Sequence, residues 1–241
     1  MDVKKSVSIS AFFPCYNDEK TIGQLVKDVD SVLKKITDNY EIIVIDDDST
    51  DRSRHVLLSL KKKVTNLRLI FHEENVGYGG ALITGFKNAS KDLIFYTDGD
   101  GQYDVKELPL LLSLMTEDVH FINGIKMTRH DPTYRIFLGN LYSFVARWVF
   151  WLPINDVDCD FRLLRKDLVN KLDLTRHSGA ICIELIKKAQ RAGAEFRQVS
   201  IHHYERKWGQ SQFFHPRKIL STFKDFAVLW WGLMIRDKLK R

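Results

Sequence analysis

Cysteine is scarce in this chain: Cys15, Cys159 and Cys182 are the whole complement, odd in number and without a Cys-x-x-Cys pair. That excludes a disulfide framework, argues against a structural zinc site and suits a reducing compartment. Long apolar runs are missing as well. The run from Val7 to Phe13 stops at Pro14 and has no small-residue cleavage site, so it reads as a first strand rather than a secretory signal. A later run, Phe226 to Ile235, covers ten residues. As a helix it reaches about 15 Å, half of the roughly 30 Å hydrocarbon core, and so cannot cross it. No repeat or linker interrupts the pattern.

What is present bounds the answer further. With 241 residues, 44% hydrophobic and 28% charged, the chain can bury the core of one large domain, and disorder is excluded. Its formal charge of +6 and pI near 9.1 call for an anionic partner: nucleic acid, anionic lipid or a phosphorylated ligand. Much of the excess lies in Arg206-Lys207, Arg217-Lys218, Lys224 and the stretch from Arg236 to Arg241. There it is interleaved with Trp and Phe rather than grouped on one recognition helix, which favours a membrane surface over nucleic acid.

The first half alternates short β-branched runs with amphipathic stretches, the pattern of an α/β protein with a mostly parallel central sheet flanked by helices. Val7 to Phe13, Glu41 to Ile45, Leu67 to Phe71, Leu93 to Thr97 and Val119 to Ile122 read as strands. Ile22, Leu25, Val26, Val29, Leu33 and Ile36 recur at helical spacing behind a cap at Asn17 or Asp18. The stretch from Arg135 to Leu152 is apolar over most of a helical circumference, fit for a core or for lipid. Ile181 to Ala192 reads as a helix, Phe196 to Ile201 as a strand, and Pro216 onward as a last helix.

Two acidic clusters follow predicted strands: Asp46-Asp47-Asp48 and Asp98-Gly99-Asp100. In an open α/β sheet that edge is where ligands bind. Crowded carboxylates repel unless a cation or hydrogen-bond donors compensate, and an Asp-x-Asp pair offers hard oxygen ligands to a divalent ion that also holds a diphosphate. A lone cluster of this kind is more often a helix cap or a solvated turn; two at matching strand ends shift the balance. His202-His203 is a poor metal pair, because neighbours on a strand point to opposite faces. Gly77-Tyr78-Gly79-Gly80 lacks the third Gly of a dinucleotide-binding turn, with Leu82 in its place.

Taken in order, the motifs resemble those of the family-2 glycosyltransferases of GT-A fold, in the dolichol-phosphate mannose synthase-like branch. Pro14-Cys15-Tyr16-Asn17-Asp18, Asp46 to Asp51, Asn75-Val76-Gly77-Tyr78-Gly79 and Asp98 to Gln102 carry the likeness, joined by Asp156 to Arg162 and Arg206 to Ser211. The resemblance implies that Pro14, Tyr16, Asp18, Asp47 and Asp98 border the nucleotide, with Asp47 reaching the base. It implies that Asp98, Asp100 and Gln102 hold Mg²⁺ or Mn²⁺. It further implies that Lys126, Arg129, Arg135, Arg206 and Ser211 meet the diphosphate or the acceptor, with Asp98, Asp100, Arg135 and Arg206 the catalytic set. Asp18 replaces the usual Glu, with Glu19 beside it; Cys159 and Asp160 replace Ser and Gly.

The activity this implies is inverting transfer of a sugar from a GDP- or UDP-sugar to a polyprenyl or dolichyl phosphate. A saccharide hydroxyl acceptor is the alternative, and a non-catalytic nucleotide-sugar sensor a further one. Residues 1–215 would form the transferase domain, and residues 216–241 an amphipathic helix lying on the membrane. The expected setting is peripheral, at the cytoplasmic face, with a membrane-embedded partner subunit a candidate neighbour and no nucleic acid. The competing reading of the last helix is that its apolar face packs on the enzyme itself.

Overall fold

The computed structural model describes residues 7–129, 133–208 and 224–236. Among them, strands β1 (Ile9–Cys15), β2 (Tyr40–Asp46), β3 (Leu67–Phe71), β4 (Leu93–Thr97), β5 (Phe121–Arg129), β6 (Phe161–Arg165) and β7 (Phe196–His203) form one sheet. Its order is β3-β2-β1-β4-β6-β5-β7. β6 runs antiparallel to both of its neighbours, and the other pairings are parallel. The helices are α1 (Ile22–Ile36), α2 (Ser53–Lys61), α3 (Tyr78–Asn88), α4 (Leu108–Leu114), α5 (Thr133–Phe150), α6 (Lys166–Val169) and α7 (Ile181–Arg191). A further helix, α8, covers 224–230 and continues into a π-helical turn, Trp231–Arg236.

β1 and β2 are buried along their whole length, which explains why Ile, Phe and Val run on with little alternation there. One core lies on the α1 side of the sheet, around Phe13, Val26, Leu33 and Leu57; the other lies under α3, α5 and α7, around Phe12, Phe86, Phe150 and Ile183. α3 approaches β1 so closely that a Cβ on Gly85 would sit 2.4 Å from the Phe12 ring. The chain winds from β1 to β3 in one direction and then places β4 on the other side of β1. That reversal opens a crevice at the carboxyl ends of β1 and β4, where Pro14 to Asp18 and Asp98 to Asp100 emerge.

Some expectations change. Asn17 and Asp18 do not cap α1 with their side chains: Thr21 is its N-cap residue, and the Asp18 carbonyl accepts from the Thr21 and Ile22 amides. Asn17 turns the chain at φ 60° instead, and its Oδ1 accepts from the amides of Thr50 and Asp51. α5 is both core and surface, burying Ala146 and Phe150 while exposing Phe144 and Trp148. Phe226, Leu229, Leu233 and Met234 belong to the α5–α7 core, with the Phe226 ring edge-on to Phe150 at 4.9 Å. In the described part of the last segment, Phe226, Leu233 and Met234 of the face expected to meet lipid therefore pack inside the molecule, while Ala227 and Trp230 of that face are exposed; 216–223 and 237–241 lie outside the described residues. No helix among the described residues is long and apolar enough to cross a membrane.

Glu41 ties the amino-terminal edge of the sheet together. Its carboxylate accepts from Ser10 Oγ at 2.7 Å, from Ser90 N and Oγ at 2.7 and 2.6 Å, and from Arg68 Nη1 at 2.6 Å. Burial pushes its pKa up, but the bonds from Ser90, Arg68 and Ser10 outweigh it and bring it from 4.5 to about 2. A depressed carboxylate stabilises fully above its unfolded pKa and loses that contribution as pH falls through the folded one. Glu41→Gln should cost about 2 kcal/mol at neutral pH, allowing for the exposure of Arg68. In urea titrations the gap to the wild type should close between pH 4.5 and 2; a gap independent of pH would contradict this assignment.

Candidate active site

The loops leaving β1 and β2 are laced together by polar groups in the crevice. The Asn17 and Asp18 amides donate to Ser49 Oγ and Ser53 Oγ, both at 3.0 Å. The Glu19 amide donates to Asp51, and the Glu19 carboxylate accepts from the Arg52 amide. Ser49 and Asp51 of the acidic motif are thus the fasteners that hold Pro14 to Glu19 in place. Glu19 is engaged here and does not stand in for Asp18.

The three carboxylates after β2 have separate fates. Asp46 is buried and paired with Arg54 Nε at 2.6 Å, while Asp48 is partly exposed and turns at φ 60°. Asp47 Oδ1 accepts from His72 Nδ1 at 2.7 Å and from the Val76 amide at 3.0 Å, and Oδ2 accepts from the Gly77 amide at 2.9 Å. Asp47 therefore holds the Asn75-Val76-Gly77 loop, whose Asn75 side chain also donates to the Asp47 carbonyl at 2.9 Å. The glycines there have a steric reason: a Cβ on Gly77 or Gly79 would lie 2.7 or 2.1 Å from the carbonyl oxygens of His177 or Arg176. They seat the segment before α7 on the start of α3, fixed by the Gly79 amide donating to the His177 carbonyl.

Asp98-Gly99-Asp100 follows β4 and lies against the β1 loop. Gly99 is required because a Cβ would meet the Pro14 carbonyl at 2.6 Å and Asp18 Oδ2 at 3.1 Å. Asp98 Oδ1 accepts from Tyr78 Oη at 2.8 Å. Burial first, then the charges of Asp160 and Asp100, raise the Asp98 pKa well above the usual carboxylate range. Burial and the neighbouring Asp100 raise Asp18 to about 7, so Asp18 belongs to this acidic cluster as well as to the β1 loop. Asp100 accepts from Arg206 Nη2. Gln102 joins the same contact: its amide nitrogen donates to the Tyr204 carbonyl at 3.0 Å, and its Oε1 lies 3.4 Å from Arg206 Nε. The structure thus unites Asp18, Asp98, Asp100, Gln102 and Arg206, although Arg206 lies more than a hundred residues along the chain from Asp100.

Lys126 points elsewhere. Its ammonium donates to the Asp158 carbonyl at 2.5 Å and lies 3.2 Å from Asp158 Oδ2 and 3.9 Å from Asp156 Oδ1, almost fully buried. Arg129 ends β5 and Arg135 lies in the first turn of α5, but their side chains, like Ser211, lie outside the described residues.

Sequence reasoning left Asp160 without a role, and the structure supplies one. Thr97 pairs with Phe161, so one step further along the antiparallel ladder Asp160 stands opposite Asp98. Its carboxylate lies 3.0 Å from the guanidinium of Arg162, which is fully buried and also donates to Tyr96 Oη, Asn123 Oδ1 and the Val157 carbonyl. The signal was an arginine inside an apolar strand, which requires a counter-ion nearby. Tyr78 and His72 were also missed, because neither residue type betrays its partner in sequence.

Hard oxygen donors beside a cluster short of positive charge, with an arginine already drawn onto one of them, fit a divalent cation and a diphosphate. Among the described residues no three His, Cys, Asp or Glu side chains converge into a cage, and ions of the Mg²⁺ type are commonly held by one or two carboxylates plus phosphate oxygens. A family model described as glycosyl transferase family 2 matches residues 10–173. The chain belongs to that family. It is 25% identical, over 87% of its length, to the undecaprenyl-phosphate 4-deoxy-4-formamido-L-arabinose transferase of Yersinia enterocolitica, and spans 64% of that relative's length. Its fold is shared with glucosyl-3-phosphoglycerate synthase of Mycobacterium tuberculosis, solved with Mn²⁺, UDP and phosphoglyceric acid. There the TM-score is 0.65 at 18% identity, covering 93% of this chain and 77% of that one. Mannosyl-3-phosphoglycerate synthase of Rubrobacter xylanophilus gives 0.69 at 17% identity, covering 98% and 76%. These likenesses bear out the expected GT-A fold.

In this glycosyltransferase, Asp160→Asn removes the charge that balances buried Arg162 while keeping side-chain volume. The expected cost is about 3 kcal/mol, the usual penalty for stranding a buried charge, measured by urea denaturation. A loss below about 0.5 kcal/mol would show that Tyr96, Asn123 and Val157 hold the guanidinium without it.

Proposed function

We propose that this enzyme transfers a sugar from a GDP- or UDP-sugar to a polyprenyl or dolichyl phosphate at a membrane surface, with inversion and with Mg²⁺ or Mn²⁺ bound. The observation that carries the reading is the meeting of Asp98, Asp100 and Arg206 at the β1–β4 crevice. When bound, the ion would neutralise charge that develops on the leaving diphosphate. Asp98 and Asp100 would hold it, and Gln102 keeps the Arg206 segment over the same point. Arg206, released from Asp100, would turn to the diphosphate oxygens; preorganised positive charge of this kind is often the largest catalytic contribution. Pro14, Tyr16 and Asp47 line the base side of the crevice in this reading, and the family resemblance assigns Arg129, Arg135 and Ser211, whose side chains lie outside the described residues, to the diphosphate or the acceptor.

A phosphate acceptor is already ionised near neutral pH and needs no general base, whereas a hydroxyl acceptor does. Asp156 and Asp158, the sequence's candidates for such a base, are drawn to Lys126. This supports the phosphate acceptor, as does the relative named for transfer to undecaprenyl phosphate. The Mn²⁺ and UDP held by the M. tuberculosis synthase support the donor and the metal.

The test uses labelled UDP- and GDP-sugars with undecaprenyl phosphate or free saccharides as acceptor. Label should pass to the lipid phosphate alone; transfer to saccharides alone would replace the reading with its hydroxyl-acceptor rival. Asp100→Asn should keep the fold and lose about a hundredfold or more in turnover. Activity near wild type at limiting metal would remove Asp100 from the site.

A further inference from the structure

The α5–α8 face of the molecule is apolar on the outside. Phe144, Trp148 and Trp151 are 60%, 68% and 75% exposed, and Trp231 at the end of α8 is 60% exposed. Leu141, Phe144, Val145 and Trp148 follow helical spacing, so α5 carries a second apolar stripe opposite the one that buries Ala146 and Phe150. α8 is fastened beside it through Phe226 on Phe150. Trp151 closes α5 at φ 54°, a backbone region that a bulky residue rarely adopts, and does so with its side chain held out. A clustered aromatic surface of this kind marks a site of interaction.

The charge distribution selects the occupant. Residues 133–154 and 216–241 together hold nine Lys and Arg against two Asp, from chain totals of 37 basic and 31 acidic residues. The rest of the chain is thus near neutrality, 28 against 29. Residues 133–154 contain no acidic side chain at all. The whole positive excess therefore travels with the two segments that expose the aromatics.

We infer that the outer face of α5, continued by Val228 and Trp231, is the surface that docks this enzyme on an anionic lipid bilayer. Aromatic rings enter the headgroup boundary while Arg147 and Lys224, exposed on the same two helices, meet the lipid phosphates. This shifts the membrane contact from the last helix alone to α5, with the exposed residues of α8 beside it. The inference rests on the lipid-phosphate reading of the acceptor but is tested apart from it.

The full chain is floated with vesicles of phosphatidylglycerol and phosphatidylcholine, and with phosphatidylcholine alone; neither contains polyprenyl phosphate. Wild type should float with the anionic vesicles. Phe144→Glu with Trp148→Glu should weaken binding about tenfold or more while the thermal midpoint stays unchanged, since both side chains are exposed. Tryptophan fluorescence should be quenched by brominated acyl chains in wild type, and in Trp148→Phe with Trp151→Phe that quenching should fall to the part due to exposed Trp231. Equal flotation of the charged variant would overturn the proposal. So would a wild type that ignores anionic vesicles and self-associates through this face in sedimentation. Flotation without transfer to lipid phosphate would leave the surface standing and remove the acceptor.

Discussion

The sheet's carboxyl edge gathers more negative charge than it can hold without help, and the local structure is a set of answers to that repulsion. Asp46 takes Arg54, Asp47 takes His72 and two backbone amides, and Asp160 takes the buried Arg162. These three are settled by the chain itself and serve to fix loops and strands. Asp18 and Asp98 are compensated less completely. Asp98 has the Tyr78 hydroxyl, Asp18 a backbone amide, and Asp100 an arginine from a distant loop. Burial and mutual repulsion raise the first two. Unresolved charge at a cleft is what makes this part of the acidic edge the candidate for a ligand.

The same logic links the site to its covering segment. Gln102 and Tyr204 exchange hydrogen bonds, the Tyr204 amide donating to the Gln102 carbonyl at 2.8 Å. The end of β7 thereby holds Arg206 over Asp100. In the proposed reaction the arginine and the cation share one carboxylate, so occupying the site would turn the guanidinium toward the phosphates. In the same proposal, the α5–α8 surface would bring the enzyme to a membrane that holds an acceptor of low water solubility.

Much of this was legible in the sequence. β3 and β4 fall at the expected residues, and α1 at its expected span, because continuous apolar runs and 3.6-residue periodicity are strong local signals. β6 was not recognised as a strand: Arg162 interrupts its apolar run, and its fitness for the core depends on Asp160, Asn123 and Tyr96, which come together only in the fold. The acidic motifs located the crevice, but residue type could not separate Asp47, which fastens a loop, from Asp100, which faces Arg206. Lys126 was assigned to the diphosphate or the acceptor by resemblance alone, and its contact with Asp158 is visible only in the fold. The inward turn of α8 was equally hidden, since an apolar face does not declare whether lipid or the enzyme's own α5 will cover it.

The central claim is that Asp98 and Asp100 form one site for a cation and a diphosphate together. Thermal unfolding of the full chain with UDP or GDP, with Mn²⁺, and with both tests it most directly, because a ligand held only by the folded state raises stability by mass action. The account predicts a rise with nucleotide and Mn²⁺ together that exceeds the sum of the separate rises, and that is lost in Asp100→Asn. Equal stabilisation by nucleotide with and without Mn²⁺, unaffected by that substitution, would contradict it.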